Sequence, residues 1–200
     1  MERLEWTEEC VMSPLRKEKI KMKVCMVGDN SVGKTSLVRR FVFDNFEDKY
    51  IATLGAKVTK KLSTVKFPEL GVEYEVAMII YDIMGAREFR SLLREAYFYG
   101  AQGLIAVCDL TSGETFDSLE DWIQNAYGVT GRIPLELLGN KVDLEGELVV
   151  SKNEMDKLGR SYGSPHKLTS AKTGKNVELA FEEIAEMAAK KTIKSKLLET

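Results

Sequence analysis

The sequence predicts an α/β protein, built on a six-stranded and mostly parallel sheet with one antiparallel strand and flanked by about five helices. Three observations lead to this prediction. Short apolar runs alternate with helical patterns along most of the chain. The run 104–108 is apolar throughout, as is typical of a parallel strand buried on both faces. A glycine-containing loop joins the first strand-like run to the first helix-like run, 37–42.

The individual elements follow from the same patterns. Strands are predicted near 21–27, 56–66, 72–82, 103–109, 133–139 and 166–169. Helices are predicted near 87–99, 114–127 and 151–161, and a last amphipathic helix carries Val177, Phe181, Ile184, Ala185 and Ala188. The segment 67–71 is too short for a crossover helix, so the second and third strands form an antiparallel hairpin. We expect one domain over 20–190, an N-terminal extension over 1–19 and a Lys-rich tail over 191–200.

Composition narrows the class of protein. The 200 residues suffice for one core, and a formal net charge of -2 gives no electrostatic reason to expect a nucleic-acid partner. Of the three cysteines, Cys25 and Cys108 lie in apolar runs, which predicts buried thiols in a reducing, cytoplasmic compartment. No signal peptide or membrane span is predicted. For Leu4, Trp6 and Val11 the sequence leaves two expectations open, a short docking helix or a frayed extension.

A phosphate-binding loop is the most informative motif. Residues 28–36 read G-D-N-S-V-G-K-T-S, between the first strand and the first helix. Glycines allow a tight turn around phosphates, and the amides of the loop and of the helix N-terminus attract anions. This predicts the P-loop NTPase fold, with Lys34 at the β/γ-phosphates and Thr35 on Mg²⁺. The nucleotide-binding stretch comprises Asn30, Ser31, Val32, Gly33, Lys34, Thr35 and Ser36.

Two further loops predict the base. N-K-V-D, residues 140–143, follows the fifth strand, and S-A-K, residues 170–172, follows the sixth. Ligands of open α/β sheets bind beyond the carboxyl ends of the strands, where these loops meet the phosphate loop. The Asp143 carboxylate can accept two hydrogen bonds from the N–H groups of guanine, whereas adenine would leave it unpaired. A protein that binds adenine nucleotides is the alternative, and it predicts comparable binding of ATP and GTP.

These motifs resemble those of the Ras superfamily of small GTPases, and most closely of its Rab branch, over about residues 20–190. The phosphate loop, T-L-G, D-x-x-G followed by F-R, G-A-Q-G, N-K-V-D-L and T-S-A-K occur in the order and spacing of that family. The resemblance implies a switch that binds GTP, GDP and Mg²⁺. Its partners would be effectors, exchange factors and GTPase-activating proteins, which bind the switch regions at about 46–56 and 83–99. We expect a monomer.

The resemblance also implies the roles of particular residues. Phe46 packs against guanine, Tyr50 covers the phosphates, and Thr53 binds Mg²⁺ and the γ-phosphate. Asp82 anchors Mg²⁺ through water, and Gly85 bonds the γ-phosphate. The base-side residues are then Asn140, Lys141 and Asp143, with Ser170, Ala171 and Lys172. Lys34, Thr53 and Gly85 would act in catalysis by stabilising charge on the phosphate oxygens.

Switch II departs from the family pattern. It reads D-I-M-G-A-R-E-F-R, so Ala86 stands where related GTPases carry the glutamine that orients the attacking water. We therefore expect slow hydrolysis. Either a partner supplies the missing group, or the protein stays loaded with GTP and is reset by exchange. A GTP-binding interaction scaffold with negligible hydrolysis is the alternative function. Arg87 is expected to be an exposed helix residue rather than an arginine finger.

The C-terminal segment is the second departure. No cysteine follows Cys108, which excludes prenylation of the sequence as written. Four lysines near the end provide at most a weak contact with an anionic membrane. We expect a cytoplasmic protein, peripheral to membranes at most, in signalling or trafficking-like regulation. This departure points either to a prokaryotic or archaeal relative that works without lipid anchors, or to a eukaryotic protein from which the tail is missing.

Overall fold

The computed structural model describes residues 15–47, 53, 55–85 and 94–198. It contains one six-stranded sheet in the order β2-β3-β1-β4-β5-β6, in which only β2 and β3 pair antiparallel. The strands are β1 Arg16–Val27, β2 Ala56–Phe67, β3 Val72–Ile83, β4 Gly103–Asp109, β5 Leu135–Asn140 and β6 His166–Leu168. This topology confirms the predicted fold class.

Six α-helices lie within the described residues. They are α1 Lys34–Phe43, α2 Arg94–Phe98, α3 Gly113–Asp117, α4 Leu119–Thr130, α5 Lys152–Tyr162 and α6 Val177–Leu198. Helices α1 and α6 pack on one face of the sheet, where the rings of Phe41 and Phe181 stack 4.2 Å apart. Helices α2, α4 and α5 pack on the other face, around Trp122 and Met155.

Several boundaries differ from the predicted ones. The predicted helix 114–127 is two helices that meet at Ser118, whose hydroxyl donates to Asp29 and to the Thr115 carbonyl. The fifth strand begins after Pro134, which has no N–H group for the ladder. The first strand begins at Arg16 because its polar half pairs with the equally long β3. Of the predicted helix 87–99, the part before residue 94 lies outside the described residues.

The connections place the predicted motifs together. The link between β2 and β3 is a short 3₁₀ turn over Pro68–Leu70, closed by Gly71 at a φ of 62°. The hairpin is therefore antiparallel, as predicted, and the remaining strands end at the same edge of the sheet. Helix α6 continues past residue 190 and buries Ile193, so the expected boundary between domain and tail falls within one helix.

Candidate nucleotide-binding site

The phosphate loop turns between β1 and α1 with two glycines in conformations that side chains disfavour. Gly28 has a φ of 135°, and a Cβ there would lie 2.1 Å from the Val107 carbonyl oxygen. Gly33 has a φ of 100°, and α1 begins at the next residue. The loop therefore requires glycine at both positions, and it presents the free amides of a helix N-terminus to the site.

Lys34 lies beneath this loop. Its Nζ donates to the carbonyl oxygens of Gly28 and Asp29, each at 2.7 Å. Burial lowers the pKa of the amine to about 8, although the carboxylates of Asp82 and Asp29 act in the opposite direction. The structure thus holds a cation in the concave side of the loop, where it can neutralise phosphate charge.

Three oxygen-bearing side chains meet beside the loop. The Thr35 hydroxyl donates to Asp82 Oδ2 at 2.5 Å and lies 3.0 Å from the Thr53 hydroxyl. Asp82 is 1% exposed, and its Oδ1 has no hydrogen-bond partner among the described residues. Burial raises the pKa of this carboxyl, while the hydrogen bond from Thr35 and the charge of Lys34 lower it. Hydroxyl and carboxylate oxygens suit Mg²⁺, and a buried carboxylate with an unused oxygen fits such an ion.

Gly85 approaches the phosphate loop more closely than any side chain permits. A Cβ at this position would lie 2.4 Å from the Asp29 carbonyl carbon and 2.5 Å from the Asn30 nitrogen. Just before it, the Met84 N–H donates to the Gly55 carbonyl oxygen at 2.8 Å. The segment after β3 is therefore bonded to the segment that follows Thr53, and both reach the phosphate side of the site.

Asn140 joins the three predicted loops. Its Nδ2 donates to the Val32 carbonyl oxygen at 2.8 Å, and its Oδ1 accepts from the Ala171 N–H at 3.2 Å. It also accepts from the Thr169 hydroxyl at 3.3 Å. A Cβ on Gly33 would lie 2.2 Å from the same Nδ2. One buried amide thus sets the distance between the phosphate loop and the S-A-K loop.

The N-K-V-D loop is held by its own lysine. Lys141 has a φ of 66°, and its Nζ lies 2.5 Å from Asp109 Oδ2 at the end of β4. This ion pair lays the aliphatic stem of Lys141 along the cavity wall, where it can contact a base. Asp143 is half-buried and also lines the cavity.

Arg40 was not predicted as a site residue. Its Nε donates to the Ala171 carbonyl oxygen at 2.9 Å, and its Nη2 donates to that of Lys172 at 2.7 Å. Within the loop, Ser170 Oγ accepts from the Thr173 N–H at 3.0 Å. The guanidinium therefore fastens the S-A-K loop to helix α1, which begins at the phosphate loop. Nothing in the sequence pattern distinguishes Arg40 from Arg39.

Asp29 is a second residue that the sequence analysis missed. Its buried carboxylate accepts from the Ser118 hydroxyl at 2.8 Å and from Trp122 Nε1 at 2.9 Å. Its main chain bonds Lys34 and contacts Gly85. The phosphate loop is thereby connected to the start of α4. The aspartate within the motif was visible in the sequence, but its partners lie 89 and 93 residues away.

These residues enclose one cavity of about 280 Å³. The predicted residues that line it are Asn30, Ser31, Gly33, Lys34, Thr35, Ser36, Phe46, Thr53, Gly85, Asn140, Lys141, Asp143, Ala171 and Lys172. The lining also includes Arg39, Glu47, Ile83 and Leu144, which were not predicted. Val32, Asp82 and Ser170 support the walls through the bonds described above. Tyr50, Ala86 and Arg87 lie outside the described residues.

The fold and this cavity define a class of protein, the P-loop nucleotide-binding proteins, with the three predicted loops around one cavity at one sheet edge. The model of the Ras family matches residues 23–190, so the chain belongs to the Ras family. It is similar to Ras-related protein Rab-37 of Homo sapiens, at 39% identity over 82% of this chain and 71% of the relative. Rab-13 of Mesocricetus auratus is 36% identical over 82% and 77%, and Rab-26 of Homo sapiens is 36% identical over 88% and 67%.

Family membership implies a GTPase that binds guanine nucleotides, typically with Mg²⁺. It also identifies the chain as a Rab-like member of the superfamily, as its motifs indicated. Among the described residues, no helix combines the length and the apolar character that crossing a membrane requires.

Proposed function

We propose that this protein is a GTP/GDP-dependent molecular switch with slow intrinsic hydrolysis. The observation that carries the proposal is the bonding of Asn140 to the phosphate loop and to the S-A-K loop, because it fixes a cavity with a phosphate end and a base end. A molecule that spans both ends needs an anionic group at one side and hydrogen-bonding ring edges at the other. A guanine nucleotide has both.

The base end supports guanine over adenine. Asp143 offers a carboxylate to the N–H groups at N1 and N2 of guanine. The N–H group of Lys172 would meet the guanine carbonyl, together with that of Ala171, which would be shared with Asn140 Oδ1. Phe46 and the stem of Lys141 line the same part of the cavity and would contact the ring faces. A site built to pair particular donors rejects an analogue that lacks them by roughly 10⁴–10⁵.

The phosphate end supports a nucleotide with Mg²⁺. Lys34 and the loop amides would hold the β- and γ-phosphates, and Thr35, Thr53 and Asp82 would hold the ion directly or through water. When bound, Mg²⁺ neutralises charge on the phosphates during phosphoryl transfer. Asp82 keeps an acceptor oxygen available for this purpose, since Thr35 occupies only Oδ2.

The switch follows from where the γ-phosphate would lie. Thr53 and Gly85 belong to the two switch segments, and each would donate a backbone N–H to that phosphate. Met84 and Gly55 bond those segments to one another, so a restraint on one segment acts on the other. Hydrolysis removes the shared anchor and releases both segments together. Effectors, exchange factors and GTPase-activating proteins would distinguish the two states at this surface, in signalling or in trafficking-like regulation.

The sequence supports slow hydrolysis. Ala86 has neither a donor nor an acceptor with which to orient a water, and no glutamine occurs between residues 83 and 101. Lys34, Thr53 and Gly85 would still stabilise charge on the phosphate oxygens. The same substitution favours a second candidate, a GTP-binding scaffold with negligible hydrolysis.

The binding proposal is tested by the base preference of the nucleotide-free protein. We expect GDP to bind at least a thousandfold more tightly than ADP. In Asp143→Asn the amide can accept from N1–H and donate to a carbonyl at C2, so preference should move from GDP to XDP. Equal binding of ADP and GDP by the unmodified protein would overturn the assignment of Asp143.

The hydrolysis proposal is tested by single-turnover cleavage of [γ-³²P]GTP. We expect a slow but measurable rate that Ala86→Gln increases. Absence of turnover in both proteins, with GTP still bound, would leave the scaffold as the function.

A further inference from the structure

A lysine-rich surface covers the outer side of the long hairpin end of the sheet. Residues at alternate positions of a strand share one face, and the register places six lysines on the same side of β1 and β2. We call this surface the lysine face. It comprises Lys17, Lys19, Lys21 and Lys23 of β1, Val58, Lys60, Leu62 and Lys66 of β2, and Glu73, Glu75, Ala77 and Ile79 of β3.

The face is open to solvent among the described residues. The opposite side of the same strands buries Ile20, Val65 and Phe67 beneath α1 and α6. On the lysine face, by contrast, Leu62 and Val58 are each 53% exposed, and Lys17, Lys19, Lys21, Lys60 and Lys66 are exposed as well. From Lys17 to Lys23 the row extends about 20 Å, at ~3.3 Å per residue.

The charge of the face is strongly positive. Six lysines stand against two glutamates, in a chain whose formal net charge is -2. Glu75 pairs with Lys19 at 3.3 Å, and Glu73 pairs with Lys66 at 3.7 Å. Lys23 donates to the Tyr99 carbonyl oxygen and lies over the Tyr81 ring.

Four cations of the face have no carboxylate partner among the described residues; one of them is Lys23, whose amine donates to the Tyr99 carbonyl oxygen. The other three are Lys17, Lys21 and Lys60. They give the face a positive field that its own glutamates do not cancel.

The chemistry of the face points to an anionic lipid surface. Its cations are all lysines, which act as point charges and lack the guanidinium fork that recognises one carboxylate or phosphate. Lysine is depleted at the cores of protein interfaces. An array of lysines around two exposed aliphatic side chains instead fits a delocalised negative surface with an apolar layer beneath it. We propose that the lysine face binds membranes that contain anionic lipids, and this proposal does not depend on the nucleotide.

The test is co-sedimentation of the full chain with vesicles of phosphatidylcholine alone or with 30 mol% phosphatidylserine. The test variant is Lys17→Gln, Lys21→Gln and Lys60→Gln. The matched control is Lys152→Gln, Lys157→Gln and Lys175→Gln, which removes the same charge from exposed positions distant from the lysine face. Circular dichroism establishes that both triple variants are folded.

At low ionic strength we expect binding to the phosphatidylserine vesicles only. The face variant should bind about a hundredfold more weakly, from about 1 kcal/mol for each of the three lysines, while the control keeps most of its binding. Raising salt should weaken binding of the unmodified protein. Soluble phosphoserine should not compete at concentrations equal to the accessible lipid.

Four results would overturn the proposal. One is that the unmodified protein does not bind anionic vesicles. If the face variant also aggregates, the lysines would instead protect the strand edges from pairing with other chains. Another is equal loss in the two triple variants, which would make net charge alone responsible. The third is equal binding to neutral vesicles. The fourth is displacement by phosphoserine or an acidic peptide at low concentration, which would indicate a discrete anion or protein site.

Discussion

Replacing Arg40 by alanine tests whether the guanine end of the cavity depends on its fastening to helix α1. Arg40 touches no predicted position of the nucleotide. It bonds the carbonyl oxygens of Ala171 and Lys172, whose N–H groups would meet the guanine carbonyl. We therefore expect Arg40→Ala to weaken nucleotide binding indirectly, by allowing the S-A-K loop to move away from the base.

The magnitude follows from the two bonds at 2.9 and 2.7 Å. A hydrogen bond to a charged group contributes about 1.5–3 kcal/mol. Because the Asn140 amide still holds the Ala171 N–H, we expect a loss equivalent to one such bond rather than two. At about 1.4 kcal/mol per tenfold change, the Kd for GDP should rise roughly 10- to 100-fold.

The assay is dissociation and equilibrium binding of GDP and IDP. Both bases carry the carbonyl that the loop would contact, but IDP lacks the 2-amino group assigned to Asp143. Arg40→Ala should therefore weaken both nucleotides equally, whereas Asp143→Ala should reduce the preference for GDP over IDP. Arg40→Lys has one ammonium group in place of the guanidinium fork, so its Kd for GDP should lie between that of the unmodified protein and that of Arg40→Ala.

Two controls make the result decisive. Arg160→Ala removes an exposed arginine of α5 and should leave binding unchanged. The thermal unfolding midpoint of each variant distinguishes displacement of the S-A-K loop from unfolding of the whole protein. A folded Arg40→Ala protein with a Kd for GDP within twofold of the original, or with an altered preference between GDP and IDP, would refute the reasoning.

Three other changes give equally definite expectations. Burial raises the pKa of Glu136 from 4.5 to about 7, so its contribution to the free energy of unfolding is complete below pH 4.5 and is lost as pH rises to 7. Between pH 4.5 and 7.5, the free energy of unfolding of Glu136→Gln in urea should therefore rise by about 3 kcal/mol relative to that of the original protein. A difference between the two proteins that does not change with pH would contradict this. Gly85→Ala places a Cβ against the Asp29 backbone and should weaken GTP binding much more than GDP binding, so equal losses for both nucleotides would count against a contact with the γ-phosphate. Trp122→Phe removes the bond from Nε1 to Asp29 and should cost about 1–3 kcal/mol of stability by thermal or urea unfolding, whereas an unchanged midpoint would show that this bond contributes nothing measurable to stability.

The sequence predicted which loops meet, because the rule that ligands bind beyond the carboxyl ends of parallel strands applies to each loop without knowledge of the strand order. Each of the three motifs follows a predicted strand, and parallel strands leave their loops at one edge whatever the intervening helices contain. The convergence around Asn140 needed no knowledge of individual contacts.

The residues that hold the loops in place could not be predicted in the same way. Arg39 and Arg40 are neighbours on one helix, and only the packing of α1 against the S-A-K loop decides which of them bonds that loop. Glu136 lies in an apolar run of β5 and was assigned simply to a strand. Its partner Lys167 is 31 residues away on β6, at 3.0 Å, so the ion pair is visible only once the two strands are paired.

The bonds of the site are distributed unevenly, and this distribution suits a switch. Among the described residues, Asn140 and Arg40 tie the S-A-K loop to the phosphate loop and to α1 through bonds between protein atoms. On the γ-phosphate side, the one contact that the described residues give between Thr53 and the phosphate loop joins its hydroxyl to that of Thr35. The base end can therefore hold GTP and GDP with nearly the same geometry, while the position of Thr53 depends on what occupies the phosphate end. Because the γ-phosphate is the group that differs between the two nucleotides, its binding energy would act on Thr53 in the proposed switch, where a few kcal/mol suffice to shift a population.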